Sequence, residues 1–134
     1  MDGDRDILVG VLGHELGHLR HRHGMRMLVQ AGTLGAAAGA LYGDFSSLFA
    51  QIPVLLGQAS YSRAAEHEAD VDAVRLLRAN RISPRVMAQF FVKVRQPRPG
   101  EQAGSGVRLP IAFASHPADE ERIRYFEQAA RDGR

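Results

Sequence analysis

Val9-Gly10-Val11-Leu12-Gly13-His14-Glu15-Leu16-Gly17-His18-Leu19-Arg20-His21 is the stretch whose reading decides the fold. Within it, His14-Glu15-Leu16-Gly17-His18 forms an H-E-x-x-H pattern. On an α-helix, residues four apart lie about 40° apart around the axis and about 6 Å along it. Two imidazoles so placed can each turn a nitrogen onto one tetrahedral zinc at about 2.0–2.1 Å. Glu15 follows the first histidine by one residue, off the ligand line but near the metal. There its carboxylate can take a proton from a water without occupying a coordination position. Ile7, Leu8, Val11, Leu12, Leu16 and Leu19 recur at helical intervals, so the helix is expected to carry an apolar face.

The chain has no cysteine, so any metal must be held by imidazole and carboxylate. That favours a catalytic over a structural zinc site, because structural sites rely on cysteine. The 134 residues suit a single domain, 1–134, with one hydrophobic core. Apolar residues at 45% and charged residues at 24% are ordinary globular composition. A net charge of +2, scattered basic residues and 7% aromatics argue against a nucleic-acid surface.

Outward from the motif, the pattern is helical throughout. Asp4 or Asp6 is a candidate N-cap for the first helix, expected to run to about His23 with Gly24 as its stop. Met25 to Gly57 is small and apolar, but Gly43, Asp44 and Pro53 divide it into halves too short to span a membrane. Two close-packed helices are expected there, with association at a membrane surface through Leu28 to Leu56 as the alternative. A helix over Ser60 to Asn80 follows, then Ser83-Pro84 opens a helix to Arg95 that buries Val86, Phe90, Phe91 and Val94. Gln96 to Gly106 reads as a loop, and His116-Pro117 opens a last helix from Ala118 to Arg131, burying Ile123, Phe126 and Ala130. No alternating strand pattern is present, so the domain is expected to be mainly α.

A catalytic zinc needs a third protein ligand besides two histidines. A histidine ten residues after His14 is ruled out, since Gly24 stands there. His21 lies about 10 Å along the axis from His14, too far to share its metal. His23 is expected to point to the other side; both read as solvated or helix-capping histidines. A glutamate from the second helix is the remaining option. Glu66 and Asp70 share a face, and small Ala69 and Ala73 would let the helices pack closely. Glu66 can bind zinc while Asp70 receives the outer N–H of a ligand histidine. Glu68, about 200° round from Glu66, should face elsewhere. The competing reading of this acidic cluster is a solvated helix face.

With Tyr61-Ser62-Arg63-x-x-Glu66-x-x-Ala69-Asp70 and Ser115-His116-Pro117 followed by Arg122, the chain resembles the HtpX, Oma and CAAX-prenyl-endoprotease group of gluzincin-type zinc metallopeptidases. The resemblance implies a compact helical zincin domain, with the H-E-x-x-H helix packed against a Glu-bearing second helix. It implies His14, His18 and Glu66 as ligands of one Zn2+ and Glu15 as catalytic base. It places His116 and Arg122 near the metal, there to fill the open position or to offset oxyanion charge. It further implies protein or peptide substrates and a bacterial envelope setting, periplasmic or membrane-associated. Relatives carry a strand before the helix that pairs with substrate. None fits the polar residues ahead of Ile7, so an N-terminally truncated catalytic domain is expected. The rival reading is a zinc-binding helical interaction or chaperone-like module without hydrolysis. The sequence carries no signal for oligomeric state.

Overall fold

The computed structural model describes residues 2–43, 61–95 and 116–133. These form five helices: α1 (Asp2–Arg20), α2 (His23–Tyr42), α3 (Arg63–Ala79), α4 (Arg85–Arg95) and α5 (Glu120–Asp132). No strand occurs among the described residues, as the helical patterning led one to expect. The second half of the small apolar stretch, including Phe45 to Leu56, lies outside the described residues, as does the loop over Gln96 to Gly106. Among the described residues no helix is long and apolar enough to cross a membrane.

Helices α3, α4 and α5 begin where the sequence offers a cap. Ser62 has extended backbone and its hydroxyl accepts from the Ala65 N–H at 3.2 Å, opening α3. The Asp119 carboxylate accepts from the Arg122 N–H at 2.9 Å and opens α5. At α4 the Ser83 hydroxyl meets the Arg85 N–H at 3.4 Å, and the helix starts one residue later than Pro84 suggests. Asp4 and Asp6 do not cap α1; the helix already runs through both.

The core lies where α3, α4 and α5 meet. Leu77, Met87, Phe91 and Phe126 are fully enclosed there, with Ala73, Val74, Ala88, Ile123 and Ala129 around them. The Phe91 and Phe126 rings meet edge-on at 5.7 Å. Val86 and Phe90 are half-buried against this core, and Ala129 rather than Ala130 is the buried alanine of α5.

Helix α1 corrects the expected apolar face. Leu8, Leu12, Leu16 and Leu19 are 50–73% exposed, and only Ile7 and Val11 are half-buried. The inward face is Gly10, Gly13, His14, Gly17 and His18. The physical reason is close approach: α1 runs antiparallel along α3, and Gly13 and Gly17 lie directly against the α3 backbone. A methyl at Gly17 would stand 2.8 Å from Ala69 Cα, and one at Gly13 2.9 Å from Ala73 Cα. Leucine has no room on that face.

The junction after α1 also differs from expectation. The first helix ends at Arg20, Arg22 takes a left-handed conformation (φ 55°, ψ 38°), and His23 and Gly24 start α2 instead of ending α1. Arg22 N–H bonds to the Leu19 carbonyl at 3.1 Å, closing a tight turn.

The glycine contacts set opposite signs for two otherwise similar substitutions. Gly17→Ala should destabilise by about 1–3 kcal/mol through overpacking, against the helix preference for alanine. Gly32→Ala, with no atom within 4 Å of the added methyl, should stabilise by up to about 1 kcal/mol. Urea unfolding of the two variants beside wild type reads both signs.

Candidate metal centre

Helix α1 delivers His14 and His18 one turn apart, and α3 delivers Glu66 opposite them; all three are buried. His14 Nε2 and His18 Nε2 are 3.0 Å apart, and the Glu66 carboxylate oxygens stand 3.4 Å from each ring: Oε2 from His14, Oε1 from His18. His116, at the entry to α5, adds Nδ1 at 3.5 Å from His14 Nε2. Ligand atoms around a tetrahedral zinc are separated by about 3.3 Å, given bonds of about 2.0–2.1 Å. The three expected ligands and His116 thus form one buried cluster in which these donor atoms lie within 4.8 Å of one another.

Two further observations fit a cation here. Glu66 Oε2 is buried and receives no hydrogen bond; Arg122 Nη1, 2.9 Å away, meets it as a charge out of line for a bond. The donor set of neutral imidazoles and a carboxylate, without thiolate, is that of a zinc site able to keep an open position.

The residues behind the cluster fix its protonation. His14 Nδ1–H donates to Asp70 Oδ1 at 2.8 Å, which leaves the Nε2 lone pair facing the centre. Asp70 is in turn gripped by Arg122, Nε to Oδ2 at 2.8 Å and Nη2 to Oδ1 at 2.7 Å. The Arg122 guanidinium rests on the Phe91 ring, 4.7 Å from its centre, and Nη1 also donates to the Pro117 carbonyl at 3.2 Å. It lies buried behind the ligands, with its N–H groups directed at Asp70, Pro117 and Glu66.

Electrostatics follow from this packing. Burial by itself would raise the Glu66 pKa, but the hydrogen bond from His116, the close His14 and His18 rings and the Arg122 charge hold it well below the carboxylate range. Burial would lower His14, yet its bond to Asp70 and the nearness of Glu66 prevail and raise it; those carboxylates favour positive charge at this point. For His18, burial prevails over the pull of Glu66, and nearby His14 and His116 add to the lowering, which favours the neutral ring.

Glu15 lies on the open side, its side chain 40% exposed and its Oε1 3.8 Å from His116 Nε2. His116 Nδ1–H donates to Glu66 Oε1 at 2.6 Å. Tyr61, quoted only as part of the second motif, stacks on His116 at 5.2 Å and lies 4.2 Å from the His18 ring. Its phenol is pushed up by burial and by the charges of Glu15 and Glu66.

His21, His23 and Glu68 were not expected at the centre. His23 is buried against His18, and Glu68 faces His23, His21 and Arg26. His21 is half-buried and bonds Asp72 at 3.0 Å, together with Arg20 and Arg75 at 2.8 Å each. His21 still follows the turn of α1, its N–H bonding the Gly17 carbonyl at 3.0 Å, whereas the left-handed Arg22 redirects the chain and folds His23 back toward α3.

Peptidase family M48 matches residues 2–130. The chain belongs to this metallopeptidase family. It is similar to a "Protease HtpX homolog" of Syntrophotalea carbinolica, 27% identical, with 92% of this chain and 56% of that protein aligned. A protein of the same name from Thermococcus kodakarensis is 26% identical, over 96% of this chain and 56% of its own length. A Vibrio cholerae protein named as a beta-barrel assembly-enhancing protease is 26% identical, over 92% of this chain and 27% of its own length. The chain therefore spans about half or less of the length of these relatives. No solved structure matches it.

Two substitutions test the charge arrangement. Arg122→Leu leaves Asp70 and Glu66 without their buried partner and should cost about 3–5 kcal/mol in chemical unfolding. Asp72→Asn removes the carboxylate shared by Arg20, His21 and Arg75. Burial tends to raise the Asp72 pKa, but its bond to Arg75, the Arg20 charge and His21 lower it overall. Its stabilising effect is therefore full above the unfolded carboxylate pKa and is lost as pH falls through the lower folded value. The stability gap between wild type and Asp72→Asn should be open at neutral pH and close below about pH 4.

Proposed function

We propose that the chain is the catalytic domain of a zinc-dependent endopeptidase, with His14, His18 and Glu66 as ligands and Glu15 as base. The observation that carries this reading is the convergence of the His14 and His18 Nε2 atoms and the unbonded Glu66 Oε2 on one buried point, with Glu15 beside it on the open side. When bound, zinc would supply Lewis acidity toward the scissile carbonyl and toward water.

The chain's own residues supply the rest. Glu15 takes the proton of the attacking water and returns it to the leaving amine. Asp70 keeps His14 in its Nδ1–H form, and Arg122 holds Asp70 in place while compensating Glu66. His116, with Nε2 turned toward Glu15, would cover the open position or donate toward a developing oxyanion. Within the family, the Glu66-x-x-Ala69-Asp70 and Ser115-His116-Pro117 elements liken the chain to HtpX, Oma and CAAX-prenyl endoproteases. The proposed substrates are proteins or unfolded chains, and the proposed setting is the bacterial envelope, on the likeness to the V. cholerae protein named for beta-barrel assembly. Membrane-surface association through the exposed leucines of α1 and the α2 region belongs to the same proposal.

Metal analysis and hydrolysis of an unfolded protein such as casein test this together. Wild type should hold one zinc, Glu66→Ala should lose it, and Glu15→Gln should keep it while hydrolysis falls at least about 100-fold. Undiminished hydrolysis by Glu15→Gln would sink the catalytic assignment. Zinc uptake without any hydrolysis by wild type would favour the non-hydrolytic module.

A further inference from the structure

His18 presents Nε2 to the metal position, and its other ring nitrogen meets a second histidine. His18 Nδ1 and His23 Nδ1 are 2.9 Å apart, with the rings at 74°. His23 Nε2 lies 2.9 Å from Glu68 Oε2. Neutral imidazole has one N–H and one lone pair, and a carboxylate only accepts. The protons of this chain are therefore ordered from its carboxylate end. Glu68 accepts from His23 Nε2–H, which leaves His23 Nδ1 as an acceptor. His18 Nδ1–H then donates to it, and the His18 Nε2 lone pair remains for the centre.

We infer that His23, backed by Glu68, is a positioning residue that fixes the tautomer and orientation of His18. The inference rests on the reading of His18 as a metal ligand. It gives His18 from the α2 side what Asp70 gives His14 from the α3 side, a partner for the outer ring nitrogen.

The same geometry contains a competitor. His21, His23 and Glu68 also bring donor atoms within 4.8 Å of one another, and could be read as a second metal site. An ion on His23 Nε2 would move the ring proton to Nδ1, which would then donate to His18 and drive the His18 proton onto Nε2. Neutral rings cannot serve both positions. Arg26 Nη1, 3.5 Å from Glu68 Oε2, already places a cation beside the second cluster. The proton order thus favours one metal centre with His23 as its support.

Long-range 1H–15N spectra of the imidazoles in the metal-free chain, and zinc competition against a chromophoric chelator, test this on wild type, His23→Leu and His23→Asn. Asparagine keeps an acceptor oxygen near the Nδ1 position; leucine keeps volume without an acceptor. His18 should be in the Nδ1–H form in wild type and His23→Asn, and mixed in His23→Leu. Zinc affinity should fall about 10–100-fold in His23→Leu and be largely retained in His23→Asn. An Nε2–H tautomer of His18 in wild type, or wild-type zinc affinity in His23→Leu, would overturn the inference. Failure of wild type to take up zinc would instead strike the proposed function. The tautomer spectra would still decide the His18–His23 contact, since identical wild-type and His23→Leu spectra would overturn it. Should His23→Leu fail to fold, the wild-type tautomer alone retains that power.

Discussion

The structure depends on how near α1 and α3 can come. Imidazoles are short levers, and ligand atoms must close to about 3.3 Å around a tetrahedral ion. Histidines on one helix and a glutamate on its neighbour meet that requirement only if the backbones almost touch. Gly13 and Gly17 against Ala73 and Ala69 provide this. The cost is a helix face that contributes little apolar burial, so the core is built elsewhere, among α3, α4 and α5. Cohesion and chemistry are thus divided between the two faces of α3: Val74 and Leu77 toward the core, Glu66 and Asp70 toward the histidines.

Buried charge is the second consequence of bringing these groups together. Glu66 and Asp70 are enclosed, and removing carboxylates from water is costly unless each is compensated. One arginine from the far end of the sequence answers both, and its guanidinium is itself backed by the face of Phe91. The hydrophobic core and the polar centre are therefore in direct contact through Arg122. The short Asp119-capped start of α5 sets where that arginine enters.

Much of this was legible in the sequence because it is written in local spacing. Four-residue spacing placed His14 with His18 and Glu66 with Asp70, and small residues on α3 pointed to close packing. Ser83 was legible as a cap beside Pro84, whereas the caps at Ser62 and Asp119 were not read, the helices being expected to begin at Ser60 and Ala118. The apolar face of α1 was misread because periodicity shows where leucines recur, not which face a neighbour needs. Glycines mark that need only when the distance to the partner backbone is known. Arg122 was placed near the centre by resemblance, but its direction depends on Asp70, a pairing across fifty-two positions. His23 was misassigned because a straight helix was extended through Arg22, where nothing in an arginine announces a left-handed backbone.

That one residue alters what a loop means in this fold. Connections between helices are ordinarily the most forgiving part of a chain, open to insertion and drift. Here the turn at Arg22 sets the angular phase of His23 relative to His18, and each residue added to or taken from a helix shifts phase by about 100°. Its length is consequently a coordinate of the proposed metal centre. Selection on the site would act on a count of residues as strictly as on the identity of a ligand.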